Sequence, residues 1–485
     1  MRLDRGFLEK VLPEAQVLHG AITDKYLKCV VDSRAVDSNS LFFALKGAKV
    51  DGHFFIDQAL KKAAGVVVSF ENKDVVEVII SSLKKEILVI AVSDTLAALV
   101  ALGTAWRAQF SYPVAAITGS LGKTTTKQLT AHMLACAGKK YLVAEGNLNT
   151  LIGVAMMISL MDESYDGALF EVGISLPGEM EKIIEMLNPT TGLITCIAHA
   201  HTQGLGSVEG IAIEKRKLFK KFGSDNIGII YGDQPLLSAV SYPYPIIRFG
   251  MKTTNQIQAR KITEYGDSLS FVLKIYNKKY HLTGLRNHQG LIKNILASTA
   301  LAHQLGVEDA VIVQAIKTLP VCGQRFELLP LKKYGGVVID DCYNASPESV
   351  KAALLAFQSI KSSGKKIAVL GDMLELGENS AFWHRQIGRF LRRVTTLNQL
   401  ILVGEHVSWI EKTAPLGITI EKVSSWQDAV LKLSATLEDD AVVLVKGSHG
   451  MQLHNLVSEF VDRQVQIEHY GNKNSAQTSS GTRSS

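Results

Sequence analysis

PVAAITGSLGKTTTKQL, residues 113–129, decides how this chain folds. The apolar run 113–118 after a proline reads as a buried parallel strand. A Gly119-Ser120-Leu121-Gly122 turn follows, and then a helix over 123–137 with Leu129, Met133, Leu134 and Ala137 on one face. Gly138 can end that helix. Glycines let the turn point its N–H groups inward, and such a nest at a helix start attracts anions. Lys123 and Thr124, with Thr125 and Thr126 behind them, complete a site suited to a phosphate and Mg²⁺. The loop is shorter than G-x-x-x-x-G-K-[ST], because Ile117 stands where the first glycine would be.

Working outward, further strands are expected at 167–174, 192–198 and 227–232, separated by helical or loop segments. That alternation predicts a mostly parallel α/β sheet. A second α/β series follows Pro320, with strand runs at 336–343, 366–373, 399–404 and 441–448. Ahead of the loop, "CVVDSRAV", "SLFFAL" and "AGVVVSF" are short β-type runs around the polar "KGAKVDGHFF", and a helix over 94–109 leads to Pro113. The fold class is therefore α/β with three domains: a small mixed domain over 1–100, a central P-loop-type parallel-sheet domain over 101–319, and a C-terminal Rossmann-like domain over 320–467. Residues 468–485, which end in "GNKNSAQTSSGTRSS", read as a disordered tail.

The bulk composition agrees. A chain of 485 residues fits about three domains. Its 47% hydrophobic and 20% charged content is ordinary for a globular enzyme. The net charge of +6 is spread without basic blocks, which suits anionic substrates and gives nucleic-acid binding little support. The 5 cysteines lack C-x-x-C spacing and read as reduced thiols, neither disulfides nor a zinc site. No apolar run reaches the ~20 residues that span a bilayer, and the first residues lack a signal-peptide core. A cytoplasmic location, no membrane insertion and a monomer are expected.

Ligands of an open parallel sheet bind beyond the carboxyl ends of its strands. Past the first strand lie Lys123 and Thr124, past the second Glu171, and past the third "AHAHTQGLGS" with His199 and His201. A lysine, a hydroxyl, a carboxylate and a histidine thus converge on one rim, fit to hold one or two Mg²⁺ against a triphosphate. Taken alone, Lys215 in "IEKRKLFKKF" belongs to a solvated basic helix face.

With these residues in view, the chain resembles the Mur ligases of bacterial cell-wall synthesis. "TGSLGKTTT" (118–126) matches the family's shortened T-G-[ST]-x-G-K-T-T loop. "VDSRAV" and "LFFALKGAKVDGHFFIDQA" resemble its uridine-nucleotide domain, which would bring Ser33, Arg34, Gly47, Asp51 and His53 to a UDP group. "EGNLNTLIGV" (145–154) resembles G-N-x-N-N-x-I-G, with Thr150 in place of an asparagine, and places Asn147, Asn149 and Thr150 at the substrate. "DDCYNASPES" (340–349), "VLGDMLELGENSAFWH" (369–384) and "VLVKGSHGM" (443–451) resemble third-domain signatures. Asp340, Asp341, Tyr343 and Asn344 point to the branch that joins D-alanyl-D-alanine to UDP-N-acetylmuramoyl-tripeptide, with Tyr343 and Asn344 at the substrate.

The resemblance further implies nucleotide contacts from Gly119, Ser120, Gly122, Lys123, Thr124 and Thr125, and from Asn294, Arg325 and Asp341 on the adenine, phosphate or ribose side of ATP. It implies two Mg²⁺, held by Thr124, Glu171, His201 and a carbamylated Lys215. Lys123, His201 and Lys215 would be catalytic. Gln203, Lys217, Ser346 and His449 differ from the family's usual residues, and its H-N pair falls on Gly290 and Leu291, just after "NHQ" at 287–289. The implied reaction phosphorylates a peptide carboxylate with ATP and lets an amine attack the acyl phosphate. Three other readings are a Mur ligase adding a different amino acid, a folylpolyglutamate synthetase, and a P-loop switch ATPase that makes no peptide bond.

Overall fold

A computed structural model describes residues 1–461 apart from 23–24, 82–85, 145, 200–201, 266–267, 287–290, 321–322 and 332–334. His201, the "NHQ" stretch and the 468–485 tail therefore lie outside the described residues.

The central sheet is built around Val114–Thr118, in which every residue is buried. Parallel neighbours flank it, Thr191–Ile194 on one side and Gly167–Glu171 on the other. From one edge the strand order is Lys278–Arg286, Ser268–Ile275, Ile257–Tyr265, Ile246–Gly250, Ile227–Tyr231, Thr191–Ile194, Val114–Thr118, Gly167–Glu171 and Tyr141–Val143. The pairings are parallel except the two that join 257–265, 268–275 and 278–286 into an antiparallel meander. Sequence reading overlooked that meander. Its middle strand alternates half-buried and buried residues along its whole length, as expected of a sheet covered on one face. The buried set, Leu269, Phe271, Leu273 and Ile275, packs with Leu129, Met133 and Leu134 of the loop helix Lys123–Cys136.

The C-terminal sheet runs Glu327–Pro330, Val337–Asp341, Val442–Lys446, Lys366–Gly371, Gln399–Val403 and Thr419–Val423, parallel except at its first pair. The small N-terminal sheet runs Gln16–His19, Leu88–Val92, Gly65–Ser69, Ser40–Phe43 and Lys28–Val30, antiparallel only at the first pair. The division expected at 100/101 falls inside helix Thr95–Arg107. That helix packs on helices Leu151–Ile158 and Glu179–Leu187 of the central unit, with Leu99, Leu102 and Trp106 in the shared core. Cys29, Cys136, Cys196 and Cys342 are free thiols. Among the described residues no helix is long and apolar enough to cross a membrane.

Candidate active site

The loop after Val114–Thr118 is laced to the segment that follows the neighbouring strand. The Ser120 amide donates to the Cys196 carbonyl at 2.8 Å, and the Ser120 hydroxyl bonds both backbone groups of Ala198. Gly119 has φ 145°, and a Cβ there would lie 1.9 Å from Thr195 Oγ1. Gly122 has φ 79°, and its Cβ would lie 2.3 Å from Asn294 Oδ1. Both positions combine backbone strain with a steric clash. Gly119→Ala is therefore expected to lower unfolding stability by about 1–3 kcal/mol and to abolish nucleotide binding, checked by thermal melting with and without ATP.

Glu171 ends its strand opposite Ile117 and is 2% exposed. Its Oε2 accepts from the Thr124 hydroxyl at 2.8 Å, and its Oε1 from Asn149 Nδ2 at 3.0 Å. Lys127 Nζ stands 3.8 Å from the same carboxylate. Burial alone would push this carboxyl up. The nearby Lys123 cation and the Asn149 and Thr124 hydrogen bonds outweigh it and hold the group below its ordinary value. Lys123 opens the loop helix and donates to the Gly119 carbonyl at 3.0 Å, and burial draws its pKa down.

Arg325 reaches the same point from the start of the C-terminal unit. Its Nη2 donates to Thr124 Oγ1 at 2.8 Å, and its guanidinium lies 3.9 Å from the Tyr343 ring centroid. The Thr124 hydroxyl thus accepts from Arg325 while donating to Glu171. Asp341, at the end of Val337–Asp341, pairs with Lys446 at 2.7 Å, and Lys446 also donates to the Asn344 carbonyl. Burial still leaves the Asp341 carboxyl above its ordinary value, despite the Lys446 cation.

Lys215 does not lie on a solvated face. It sits in helix Val208–Arg216, 1% exposed, and among the described residues its Nζ has no hydrogen-bond partner. Burial first, and the Lys123 charge second, lower its pKa to about 7. A cleft of about 260 Å³ opens beside Lys123, lined also by Asn149, Thr150, Ile174, Glu179 and Lys182.

These observations match known proteins over nearly the whole chain. The Mur ligase family catalytic domain matches residues 28–104, the Mur ligase middle domain 117–302, and the Mur ligase glutamate ligase domain 324–449. The UDP-N-acetylmuramoyl-tripeptide–D-alanyl-D-alanine ligase of Bacillus subtilis is 31% identical over 94% of this chain and 96% of its own length. The chain belongs to the Mur ligase family. The enzyme of the same name from Escherichia coli is 28% identical over 88% of this Mur ligase and 92% of its own chain. Among solved structures, MurF from Acinetobacter baumannii superposes with a TM-score of 0.81 at 24% identity, covering 95% and 98% of the two chains. MurF ligase from Thermotoga maritima in complex with ADP gives 0.75 at 25% identity, covering 90% and 97%.

Lys123, Thr124, Asn149, Glu171 and Arg325 form one hydrogen-bonded and charged group in this Mur ligase, with Asn294 against Gly122 and Tyr343 under Arg325. Thr125 is buried behind them in the helix. Thr150 caps helix Leu151–Ile158, and Asn147 is exposed one turn earlier. In the N-terminal unit Ser33 donates to Gln58, Asp51 bonds His53 Nδ1 at 2.6 Å, and His53 Nε2 accepts from the Ser69 amide. Arg34 is exposed and paired with Asp32, and Gly47 closes a tight turn onto the Val50 carbonyl. Sequence reading missed Lys127 and Lys446. Lys127 carries a usable signal, since it follows Lys123 by four residues and so shares its helix face.

Proposed function

We propose that this chain joins D-alanyl-D-alanine to UDP-N-acetylmuramoyl-tripeptide, yielding the UDP-pentapeptide, ADP and phosphate. It is an ATP-dependent carbon–nitrogen ligase of peptidoglycan precursor synthesis. The observation that carries the reading is the juxtaposition of the Lys123 loop with Glu171 and with Arg325 and Tyr343 from the C-terminal unit, on a chain related end to end to ligases of that name.

A carboxylate is a poor electrophile. Its oxygen takes the γ-phosphoryl of ATP, the β–γ bridge breaks and ADP leaves. The dipeptide amine then adds to the acyl carbon, loses its proton, and phosphate departs. Lys123 and the loop amides offset charge on the transferring phosphoryl. Asn294, Arg325 and Asp341 are assigned to the nucleotide with Gly119, Ser120, Gly122, Thr124 and Thr125. Ser33, Arg34, Gly47, Asp51 and His53 are assigned to the UDP end, and Asn147, Asn149, Thr150, Tyr343 and Asn344 to the peptide. Apposition of the C-terminal unit excludes water from an intermediate that hydrolyses readily.

The donor set suits Mg²⁺, a hard cation that prefers oxygen ligands: the Thr124 hydroxyl and the Glu171 carboxylate supply oxygens, and His201, assigned from the family resemblance, would add a ring nitrogen. The unpartnered, buried Lys215 amine fits as the fourth. With a pKa near 7 it is substantially neutral at neutral pH, the form that adds CO₂, and the resulting carbamate presents oxygens. Bound there, the metal supplies Lewis-acid stabilisation of phosphoryl charge. We place the first junction ahead of Thr95 and the second between Thr318 and Glu327, and take the chain to act as a monomer in the cytoplasm.

The test is ATP turnover with each co-substrate omitted. Phosphate release is expected only when both the UDP-tripeptide and the dipeptide are present. Turnover with neither would favour a switch ATPase.

A further inference from the structure

The central and C-terminal units touch at a second place, away from Arg325. His199 lies in the segment that follows Thr191–Ile194, and its Nδ1 is 2.6 Å from Glu348 Oε1. Its ring centroid is 4.1 Å from that of Trp383. Glu348 sits in the first turn of helix Pro347–Ser359, whose start is fixed by reciprocal bonds between Ser346 and Ser349. Trp383 comes from a different helix, Ser380–Phe390. Just beyond, the Thr202 hydroxyl donates to the Leu376 carbonyl and the Gln203 amide to the Glu375 carbonyl, each at 3.3 Å.

We propose that His199, Glu348 and Trp383 form a clasp that sets the C-terminal unit on the rim of the central sheet, and that Glu348 is a positioning residue for ligation. A hydrogen bond this short between a ring nitrogen and a carboxylate belongs to the stronger class, and the indole packs on the imidazole while the pair stays 30% and 36% exposed. Among the described residues the second oxygen of Glu348 is buried without a hydrogen-bond partner, and the bond the carboxylate makes is to His199. Among the described residues the hydrogen bond of these two side chains joins them to each other and not to the Lys123 loop, so both are positioning residues rather than catalytic ones. The same rigid unit nevertheless carries Arg325 to Thr124 and Tyr343 beneath Arg325. Loosening the clasp therefore loosens contacts at the reacting end. The proposal rests on the ligase reading only for its kinetic readout.

The experiment compares His199→Ala, Glu348→Ala, their double variant and Glu348→Gln with the wild-type chain, by steady-state ligation and by small-angle scattering with ATP. Each alanine variant is expected to lose about tenfold in kcat/KM for the dipeptide, the size of one charge-assisted hydrogen bond, with the ATP KM little changed. The double variant should lose no more than the worse single one, and Glu348→Gln, which keeps an acceptor oxygen, should recover most of the activity. The alanine variants should also show a larger mean radius of gyration. Glu348→Lys, which sets a cation against His199, provides a second disruption if Glu348→Ala fails to fold, and should lose more than tenfold. Losses that multiply in the double variant, or wild-type kinetics in Glu348→Lys, would overturn the clasp. A wild-type chain that makes no pentapeptide counts against the ligase reading, and scattering then decides the clasp: equal radii in wild type and variants reject it.

Discussion

Lys215→Ala is expected to slow pentapeptide formation by roughly 10²–10³-fold while leaving the chain at least as stable as before. The reason is the contrast between the residue's cost and its contacts. An ammonium in the interior without a partner is strongly disfavoured, and among the described residues Lys215 has neither a hydrogen bond nor exposure to offset that. Its pKa falls to about 7, chiefly through burial and next through Lys123. A position that destabilises the fold yet points toward the Lys123 charge is explained by a role in the bound state, in which a carbamate would bring oxygen to Mg²⁺. Thermal melting of the variant and product quantification by chromatography check both halves. Depleting CO₂ should lower wild-type activity reversibly and leave the variant unaffected. Full activity in Lys215→Ala would remove the residue from the metal site.

Lys123→Met should be as damaging, about 10³-fold in ATP-dependent turnover, by removing the cation that opposes phosphoryl charge. It acts twice. The Lys123 charge is the largest influence holding the Glu171 carboxyl below its ordinary value against burial, so its loss lets Glu171 take up a proton more readily. Lys123→Arg is not expected to restore the rate, because a planar guanidinium cannot take the place of a compact ammonium folded back on the Gly119 carbonyl. Phosphate release at saturating substrates measures the loss, and the pH at which residual activity falls should rise with Glu171.

Local signals made the nucleotide rim legible. Strand, glycine turn and helix over 113–137 each have their own periodicity, and the chain places Val114–Thr118 and Lys123–Cys136 within a residue or two of expectation. Glu171 was legible because a lone carboxylate interrupts the apolar run 167–174, and the structure ends the strand at that residue. Lys215 was not: its helix is rich in charge, and burial of one face is decided by what packs on it. The family resemblance, not the pattern, singled it out. The antiparallel meander over 257–286 escaped because its polar face dilutes the apolar signal, although its period-two alternation is present. Contacts between units leave the least trace. Arg325 meets Thr124 across 201 positions and Glu348 meets His199 across 149, and no local pattern encodes such pairings. The same holds for Lys446, which looks like a strand end in sequence and proves to be the partner of Asp341.

The most direct measurement is mass spectrometry of the product formed from UDP-N-acetylmuramoyl-tripeptide, D-alanyl-D-alanine, ATP and Mg²⁺. A UDP-pentapeptide is expected in equal amount to ADP, and absent when any one reactant is withheld. ADP accumulating without any new peptide bond would contradict the ligase reading.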